Sequence, residues 1–346
     1  MGTTSSAVLS ELLGDELSSD PTTNHGLTNH LPMALVAKQR LGASDGELVR
    51  FARRYARRLV PLDAARDALD ESTWRRVIGR RDASAELRPY FARRVMDEGV
   101  DHTLRQHLPL LWPGLAGAGF HGTIRLAYAL EASSPMQVAA GLAYWTSVAE
   151  PLGALPRVTS SRADPMEILR EQSASRAWST PVRARLIDEE LRLVAHRDGF
   201  DAVVSAWGAP GDAWAQLHSA ALAIYAATNN FTALHGVTGL AALSTLRPWM
   251  EDEVLVSRYA FQALAAAYFS IGAPRLWSSD RVEEFISAPA PGLDEVRRRA
   301  SMSDDEHVAK IVYTSLENFA TTADPLYAAV ATRAVHDDTL RATREP

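Results

Sequence analysis

The sequence predicts an all-α fold built as a single multi-helix domain, and three observations support this. Long stretches carry apolar residues at helical spacing, signals that start helices recur along the chain, and no segment shows the sustained alternation of β-branched residues that marks a strand. We therefore expect on the order of a dozen helices and almost no sheet.

The helix starts can be placed by their capping residues. Four starts combine a capping side chain with a glutamate or glutamine three positions later: Ser44 with Glu47, Ser134 with Gln137, Asp164 with Glu167, and Ser303 with Glu306. Two further starts place a proline after the cap: Thr180-Pro181 and Asp324-Pro325. Between such signals lie three long stretches of helix formers at helical spacing: 211–228, 231–247 and 250–272.

The domain organisation follows from the segments that interrupt these helices. Residues 151–163 and 287–294 are loop-like, but neither changes the composition enough to mark a domain boundary. We expect a loosely attached N-terminal segment over residues 1–23, followed by one helical domain over residues 24–346.

Composition excludes several classes of protein. The 346 residues carry a formal net charge of -6, which argues against a dedicated nucleic-acid binder, and the four arginines within residues 53–58 predict a solvated helix face. No apolar run reaches the roughly 18 residues of a membrane helix, and the N-terminus lacks the basic region of a signal peptide. The absence of cysteine excludes disulfides, thiolate metal ligands and cysteine nucleophiles. We expect a cytoplasmic protein that binds neither nucleic acid nor membranes, with its oligomeric state open.

Two motifs match known sites only by their letters. Gly117-x-Gly119-x-x-Gly122 resembles a dinucleotide-binding loop, but prolines interrupt the segment before it and the acidic residue expected about 20 positions later is missing. We expect these glycines to allow close packing instead. His196-x-Asp198 begins like an iron-binding triad, yet it stands just before Gly199, so a helix C-terminus is expected there.

Four of the ten histidines lie in apolar segments where an imidazole is expected to point inward: His30, His121, His235 and His307. A buried imidazole needs a polar partner. Four such rings on four different helices provide what a metal site inside a helical protein requires. The predicted fold therefore includes a metal site buried between helices.

Lys310 is one of only two lysines in the chain, and it follows His307 by three residues. The two side chains therefore share a helix face, about 5–6 Å apart. If Lys310 is buried, desolvation lowers its pKa, and the neutral amine can react with carbon dioxide to give a carbamate, an anionic oxygen ligand. Composition alone favours the alternative, a surface lysine whose ammonium group reaches water.

Four segments resemble the questin oxidase-like family of aromatic polyketide ring-opening oxygenases: NHLPMALVAKQRLGA (29–43), GAGFHGTIRLAYALE (117–131), NFTALHGVTGLAAL (230–243) and DDEHVAKIVYTSLE (304–317). They occur in the family's order and extend over most of the chain. The resemblance implies an α-helical enzyme that uses O2 to open a ring of anthraquinone-type substrates.

For related members the resemblance implies a non-haem iron held by four histidines and a carboxylated lysine. Carried over residue by residue, the metal ligands are His30, His121, His235, His307 and the carbamate on Lys310. Imidazole suits iron, and a carbamate oxygen supplies a hard anionic partner. Five ligands leave about one octahedral position for O2 or a substrate oxygen. We expect no catalytic residue beyond these metal ligands.

The predicted function is that of a non-haem iron oxygenase that opens a ring of a polycyclic aromatic or quinone polyketide intermediate of secondary metabolism. One alternative is a Baeyer–Villiger-type monooxygenase of the same substrate class that needs NADPH, although the missing nucleotide loop favours a dioxygenase. A second is a metal-free helical binding protein. A haem or di-iron protein is a third, but a di-iron site requires Glu-x-x-His pairs, and the adjacent Glu306-His307 has the wrong spacing.

The remaining predictions concern side chains around the metal. Five aromatic residues near the ligand segments are candidates for stacking on a flat substrate: Trp112, Phe120, Tyr144, Trp145 and Phe231. Four polar residues are candidates for orienting imidazoles: Asn29, Asn230, Thr238 and Glu306. Five histidines in polar, loop-proximal or charged contexts are predicted not to be ligands: His25, His102, His107, His196 and His336. His218 is left open.

Overall fold

A computed structural model describes residues 6–159 and 164–336, and it confirms the all-α fold. Helices, with the short 3-10 turns included, make up 68% of the described residues. The described residues form seventeen α-helices: α1 Ala7–Glu16, α2 Leu31–Arg40, α3 Asp45–Tyr55, α4 Ser84–Glu98, α5 Val100–Leu111, α6 His121–Glu131, α7 Pro135–Val148, α8 Pro165–Ser173, α9 Ile187–Ala195, α10 Phe200–Ser205, α11 Ala213–Thr228, α12 Phe231–Leu246, α13 Glu253–Ser270, α14 Ser279–Ile286, α15 Leu293–Met302, α16 Glu306–Thr322 and α17 Pro325–His336. Two short strands, β1 Ser19–Thr23 and β2 Leu59–Pro61, pair antiparallel.

Most predicted helix starts are confirmed. Ser44 and Glu47 form a reciprocal capping box at α3, and the Asp164 side chain caps α8. The stretches predicted from helical spacing correspond to α11, α12 and α13. The two predicted loops separate α7 from α8 and α14 from α15, although residues 160–163 of the first loop lie outside the described residues.

Two predicted starts are wrong. No helix begins at Thr180-Pro181. The backbone N–H of Val182 donates to the Ser270 carbonyl at the end of α13, 2.8 Å away, and α9 begins only at Ile187. Ser303 does not cap α16 either.

The residue that caps α16 is Asp305, whose Oδ1 accepts from the His307 N–H at 2.8 Å. The Ser303 hydroxyl accepts from the Asp305 N–H and so shapes the turn before the helix. Glu306 is therefore the first residue of α16 and not the acid of a capping box, which leaves its side chain available for another role.

The described chain forms two compact units. The first contains the residues up to 107, residues 122–148 and those from 289 onward, and the second contains residues 108–121 and 149–288. The domain boundary expected after residue 23 stays a prediction. Residues 7–23 form α1 and β1 within the first unit. No helix in the described residues is long and apolar enough to cross a membrane.

In the first unit, α16 packs against α2, α15 and α17, and α4 packs against α7. The glycine interpretation of the Gly117–Gly122 motif holds in this unit, where a Cβ on Gly122 would lie 2.8 Å from the Trp145 ring. This close approach brings α6 against α7. The described segment before the motif is helical, not a strand, so a nucleotide loop has no strand to start from.

A buried ion pair fixes α1 in the same unit. Glu16 Oε1 accepts from Arg125 Nη2 at 2.7 Å and from Asn29 Nδ2 at 2.8 Å, and Glu16 Oε2 accepts from Gln137 Nε2 at 2.9 Å. The Asn29 carbonyl oxygen in turn accepts from the Leu31 N–H at 3.0 Å, at the start of α2. Asn29 thus connects α1 to the first turn of α2. Its role in orienting an imidazole stays a prediction.

Glu16→Ala is expected to lower the free energy of unfolding by about 3–5 kcal/mol, because it leaves the Arg125 guanidinium buried without its carboxylate. Denaturant unfolding measures the loss. Glu11→Ala, on an exposed position of the same helix, is the matched control and is expected to change stability by less than about 0.5 kcal/mol. Equal effects of the two substitutions would contradict this assignment.

Candidate metal centre

All five candidate ligands are buried, as the sequence predicts. The exposed fractions are 6% for His30 and His121, 2% for His307, and 0% for His235 and Lys310. The four histidines belong to four helices: His30 caps α2, His121 begins α6, His235 lies within α12 and His307 lies in the first turn of α16.

The first unit holds His30, Glu306, His307 and Lys310, which we call the His30–His307 cluster. The two imidazole rings lie 4.5 Å apart, centre to centre, and nearly perpendicular to each other at 76°. The His30 N–H donates to the Tyr55 hydroxyl oxygen at 2.8 Å, so α3 fixes the backbone at the start of α2.

Buried carboxylates lie against the Nδ1 atoms of this cluster. His30 Nδ1 is 3.4 Å from Glu306 Oε1, and His307 Nδ1 is 3.4 Å from Asp305 Oδ1. Asp305, Glu306 and His307 together offer ligand atoms within 4.8 Å of one another, which is compact enough for a metal. Both rings therefore turn Nδ1 toward negative oxygen, and Nε2 is the nitrogen each ring can offer to a cation.

Lys310 is completely buried, so the alternative of a surface lysine is wrong. Its Nζ has no hydrogen-bond partner among the described residues. Desolvation is the main cause that lowers the pKa of Lys310 to about 8, against the opposing charges of Glu306 and Asp305. A buried ammonium without a partner is costly, whereas a neutral amine is the form that reacts with carbon dioxide.

The second unit holds the other two rings, the His121–His235 pair. His121 Nδ1 lies 2.5 Å from the Ala118 carbonyl oxygen, and His235 Nδ1 lies 2.8 Å from that of Phe231. A carbonyl only accepts, so each Nδ1 carries a hydrogen and donates it. In a neutral imidazole the second nitrogen is then an acceptor, which makes both Nε2 atoms bearers of lone pairs.

These two lone-pair nitrogens face each other at 3.2 Å. Two acceptors at this distance repel unless a proton or a cation lies between them, and a proton would leave a buried positive charge. Two imidazoles bound at the usual metal–nitrogen distance of about 2.1 Å have nitrogens about 3.0–3.4 Å apart, for right-angle to tetrahedral geometry. The spacing of the pair therefore fits two ligands of one metal ion.

The backbone before His121 is strained, and the strain serves this pair. Ala118, Gly119 and Phe120 all have left-handed φ angles, of 51°, 64° and 68°. Such angles cost energy for residues with a side chain and persist where the surroundings enforce them. Here the Phe120 ring fills the space beside Gly239, where a Cβ would lie 2.7 Å from the ring, and the turn aims the Ala118 carbonyl at His121.

The four rings share one arrangement. In each, Nδ1 is the nitrogen that lies against an oxygen, from a carboxylate in the first unit and from a backbone carbonyl in the second. Metal-binding histidines typically use their other ring nitrogen in this way, which fixes ring orientation and tautomer. Each of the two groups therefore presents donors that suit a metal ion, and the first also contains the buried Lys310 Nζ.

The structure separates the five aromatic candidates. Trp112, Phe120, Tyr144 and Trp145 are at most 4% exposed and lie in helix cores or turns, so packing accounts for their burial. Phe231 is partly exposed, and its ring centre lies 4.6 Å from that of His235. Of the five, Phe231 is placed best for stacking on a substrate; substrate contact remains a prediction for all of them.

The other histidines have varied surroundings. His196 ends α9 as expected, with Nδ1 donating to the Arg192 carbonyl. The polar context predicted for His107 is wrong, because Trp74 and Phe91, distant in the sequence, pack around its ring and leave it 1% exposed. His218 is hydrogen-bonded through Nε2 to Ser244, and burial lowers its pKa to about 4. That all five excluded histidines are not ligands stays a prediction.

Sequence analysis missed three side chains beside the His30–His307 cluster: Tyr55, Arg58 and Asp305. Arg58 belongs to the arginine run assigned to a solvated face. That assignment is wrong for Arg58, which pairs with the buried Glu306 at 3.1 Å, whereas Arg54 is exposed as predicted and pairs with the half-exposed Asp304. Arg54 and Arg58 are four residues apart, the spacing of one helix face, and Asp304 and Glu306 come just before His307. This pairing of basic and acidic residues is the sequence signal that could have predicted a contact between the two segments.

Comparison with known proteins adds one finding. A family model described as Questin oxidase-like matches residues 27–315, which is most of the chain and includes all five candidate ligands. No individual curated protein matches the chain significantly.

Proposed function

The chain belongs to the questin oxidase-like family, and we propose that it is a non-haem iron oxygenase that opens a ring of a polycyclic aromatic or quinone substrate. Family membership indicates an oxidoreductase, an oxygenase of polyketide substrates. The iron, the ring opening and the ligand set are our proposal. The His121–His235 pair carries it, because two facing acceptor nitrogens 3.2 Å apart repel unless a proton or a cation lies between them, and a metal ion is the partner we propose.

The proposed ligands are His30, His121, His235 and His307 with a carbamate on Lys310. The orientation of the four rings supports this set, since each offers Nε2 while Nδ1 lies against an oxygen. The complete burial of Lys310 supports the carbamate, because a buried amine without a partner is easily kept neutral. Iron also accepts both imidazole nitrogen and hard oxygen ligands.

When bound, non-haem iron supplies the activation of O2 that an oxygenase requires. The residues of the chain orient the imidazole ligands and exclude bulk water from the metal. The Ala118 and Phe231 carbonyls hold two imidazoles in one tautomer, and carboxylate oxygens of Glu306 and Asp305 lie 3.4 Å from the Nδ1 atoms of His30 and His307. Since the candidate ligands are at most 6% exposed, bulk water is kept from the centre.

The substrate is proposed to lie against Phe231. A partly exposed ring next to a candidate ligand offers a flat apolar surface to a flat aromatic molecule. We propose that the substrate carbon that is oxygenated lies beside a quinone carbonyl of a polyketide substrate.

The proposal is tested by O2 consumption of the purified, iron-loaded protein with a hydroxyanthraquinone, with and without NADPH. We expect consumption without NADPH and, from ¹⁸O₂, a ring-opened product that contains both oxygen atoms. One labelled atom with NADPH oxidation would establish the Baeyer–Villiger alternative instead. Quinone binding with neither bound metal nor O2 uptake would show a binding protein, and a haem spectrum or two irons would also contradict the proposal.

A further inference from the structure

We propose that Arg58 is a positioning residue that holds the Glu306 carboxylate beside His30 and keeps it out of the metal's ligand set. This inference rests on the proposed function, since it concerns the same metal. It adds a role for a side chain outside the set of five ligands.

Arg58 contacts both groups that fix His30. Its Nη1 donates to Glu306 Oε1 at 3.1 Å, and the same oxygen lies 3.4 Å from His30 Nδ1. Its guanidinium carbon lies 4.8 Å from the centre of the Tyr55 ring, whose hydroxyl accepts from the His30 backbone N–H. The Arg58 guanidinium therefore contacts both Glu306, which lies beside the His30 ring, and Tyr55, which accepts from the His30 backbone N–H.

The pair joins a buried acid to a more accessible base. The Glu306 side chain is 3% exposed, whereas that of Arg58, in the turn between α3 and β2, is 37% exposed. The neighbouring pair of Arg54 with Asp304 has both side chains about half exposed, at 56% and 46%, and touches no candidate ligand through any contact seen here. The second pair is thus a matched comparison for the first.

Without a cation, Glu306 would compete for the metal. Its carboxylate lies with Asp305 and His307 in a group whose ligand atoms are within 4.8 Å of one another, and carboxylate oxygen is a good ligand for iron and similar ions. A carbamate, Glu306 and Asp305 would together exceed the charge of a divalent ion. Arg58 offsets one of these charges and directs Oε1 toward the Nδ1 hydrogen of His30, so that Glu306 orients a ligand instead of becoming one.

The experiment uses cobalt(II) as a spectroscopic probe in the full chain. Arg58→Met keeps a stem that can pack on Tyr55 but removes the charge. We expect this variant to bind cobalt at least about 10-fold more weakly and with a changed visible spectrum. Arg58→Lys should recover part of both. Combining Arg58→Met with Glu306→Gln should restore the wild-type spectrum, because the amide is a much poorer ligand.

Two controls separate positioning from a general structural effect. Arg54→Met should leave the cobalt spectrum and affinity unchanged. Glu306→Gln alone should weaken cobalt binding, because the amide is a poorer partner for His30, but should keep the wild-type spectrum, because it removes no ligand. A changed spectrum for Glu306→Gln would show that Glu306 is itself a ligand, and an unchanged one for Arg58→Met would show no positioning role; either result overturns the inference. No cobalt binding by the wild-type chain would instead overturn the proposed function, and this inference with it.

Discussion

Lys310→Met is expected to bind iron at least about 100-fold more weakly than wild type and to lose O2 turnover, while remaining folded. The substitution removes the amine that forms the carbamate, the one anionic ligand of the proposed set. It also replaces an unpartnered buried amine by an apolar side chain of similar size, so the apoprotein should be at least as stable as wild type. Iron content, turnover and thermal unfolding of the apoproteins measure the three effects.

The scarcity of lysine makes the carbamate itself observable. Lys38 and Lys310 are the only lysines of the chain. Lys38 is an internal control, because its Nζ donates to the carbonyls of Ser301 and Ser303 at 2.7 and 2.6 Å. With ¹³C-bicarbonate, we expect a carbamate carbon signal that disappears in Lys310→Arg and persists in Lys38→Arg. A signal that follows Lys38, or full iron content in Lys310→Arg, would contradict the assignment.

His121→Ala and His235→Ala are each expected to abolish iron binding, and the double variant should be no worse than either. Ligands of one metal fix each other's geometry, so their losses are far from additive. The facing Nε2 atoms add a second expectation for the metal-free proteins. Either substitution removes the repulsion between the two nitrogens, so the free energy of unfolding should fall by no more than the loss of a larger buried side chain accounts for.

Thermal unfolding with and without iron(II) checks this expectation. Metal that binds only the folded state raises the melting temperature, so iron should stabilise wild type and neither variant. His218→Asn is the matched control, because His218 is a partly buried histidine whose Nε2 is hydrogen-bonded to Ser244. Stabilisation by iron that survives in His121→Ala would show that this histidine is not a ligand.

Local sequence was enough to predict which histidines are buried by their own helices. His235 lies among apolar residues within α12, and His307 shares a buried helix face with Lys310, so helical spacing places both side chains inward. The spacing did not show that Lys310 lacks a partner. That depends on every element packed around it, which a single sequence does not display.

Errors arose where distant residues compete for a local group. The segment after Thr180-Pro181 is hydrogen-bonded to the end of α13 through the Val182 N–H and forms no helix, although the local signal is sound. Trp74 packs against the ring of His107, although Arg105 and Gln106 directly precede this histidine. Arg58 has the spacing of an exposed face, and only the fold brings Glu306, 248 residues away, to its guanidinium.

The central claim is that the four histidines and Lys310 serve one metal, and iron per chain measures it most directly. The measurement compares wild type with single alanine variants at His30, His121, His235 and His307, each purified and reconstituted with iron(II) and bicarbonate. The account predicts one iron per wild-type chain and close to none in every variant. Two irons in the wild type, or a variant of either histidine group that keeps its full iron, would contradict a single shared centre.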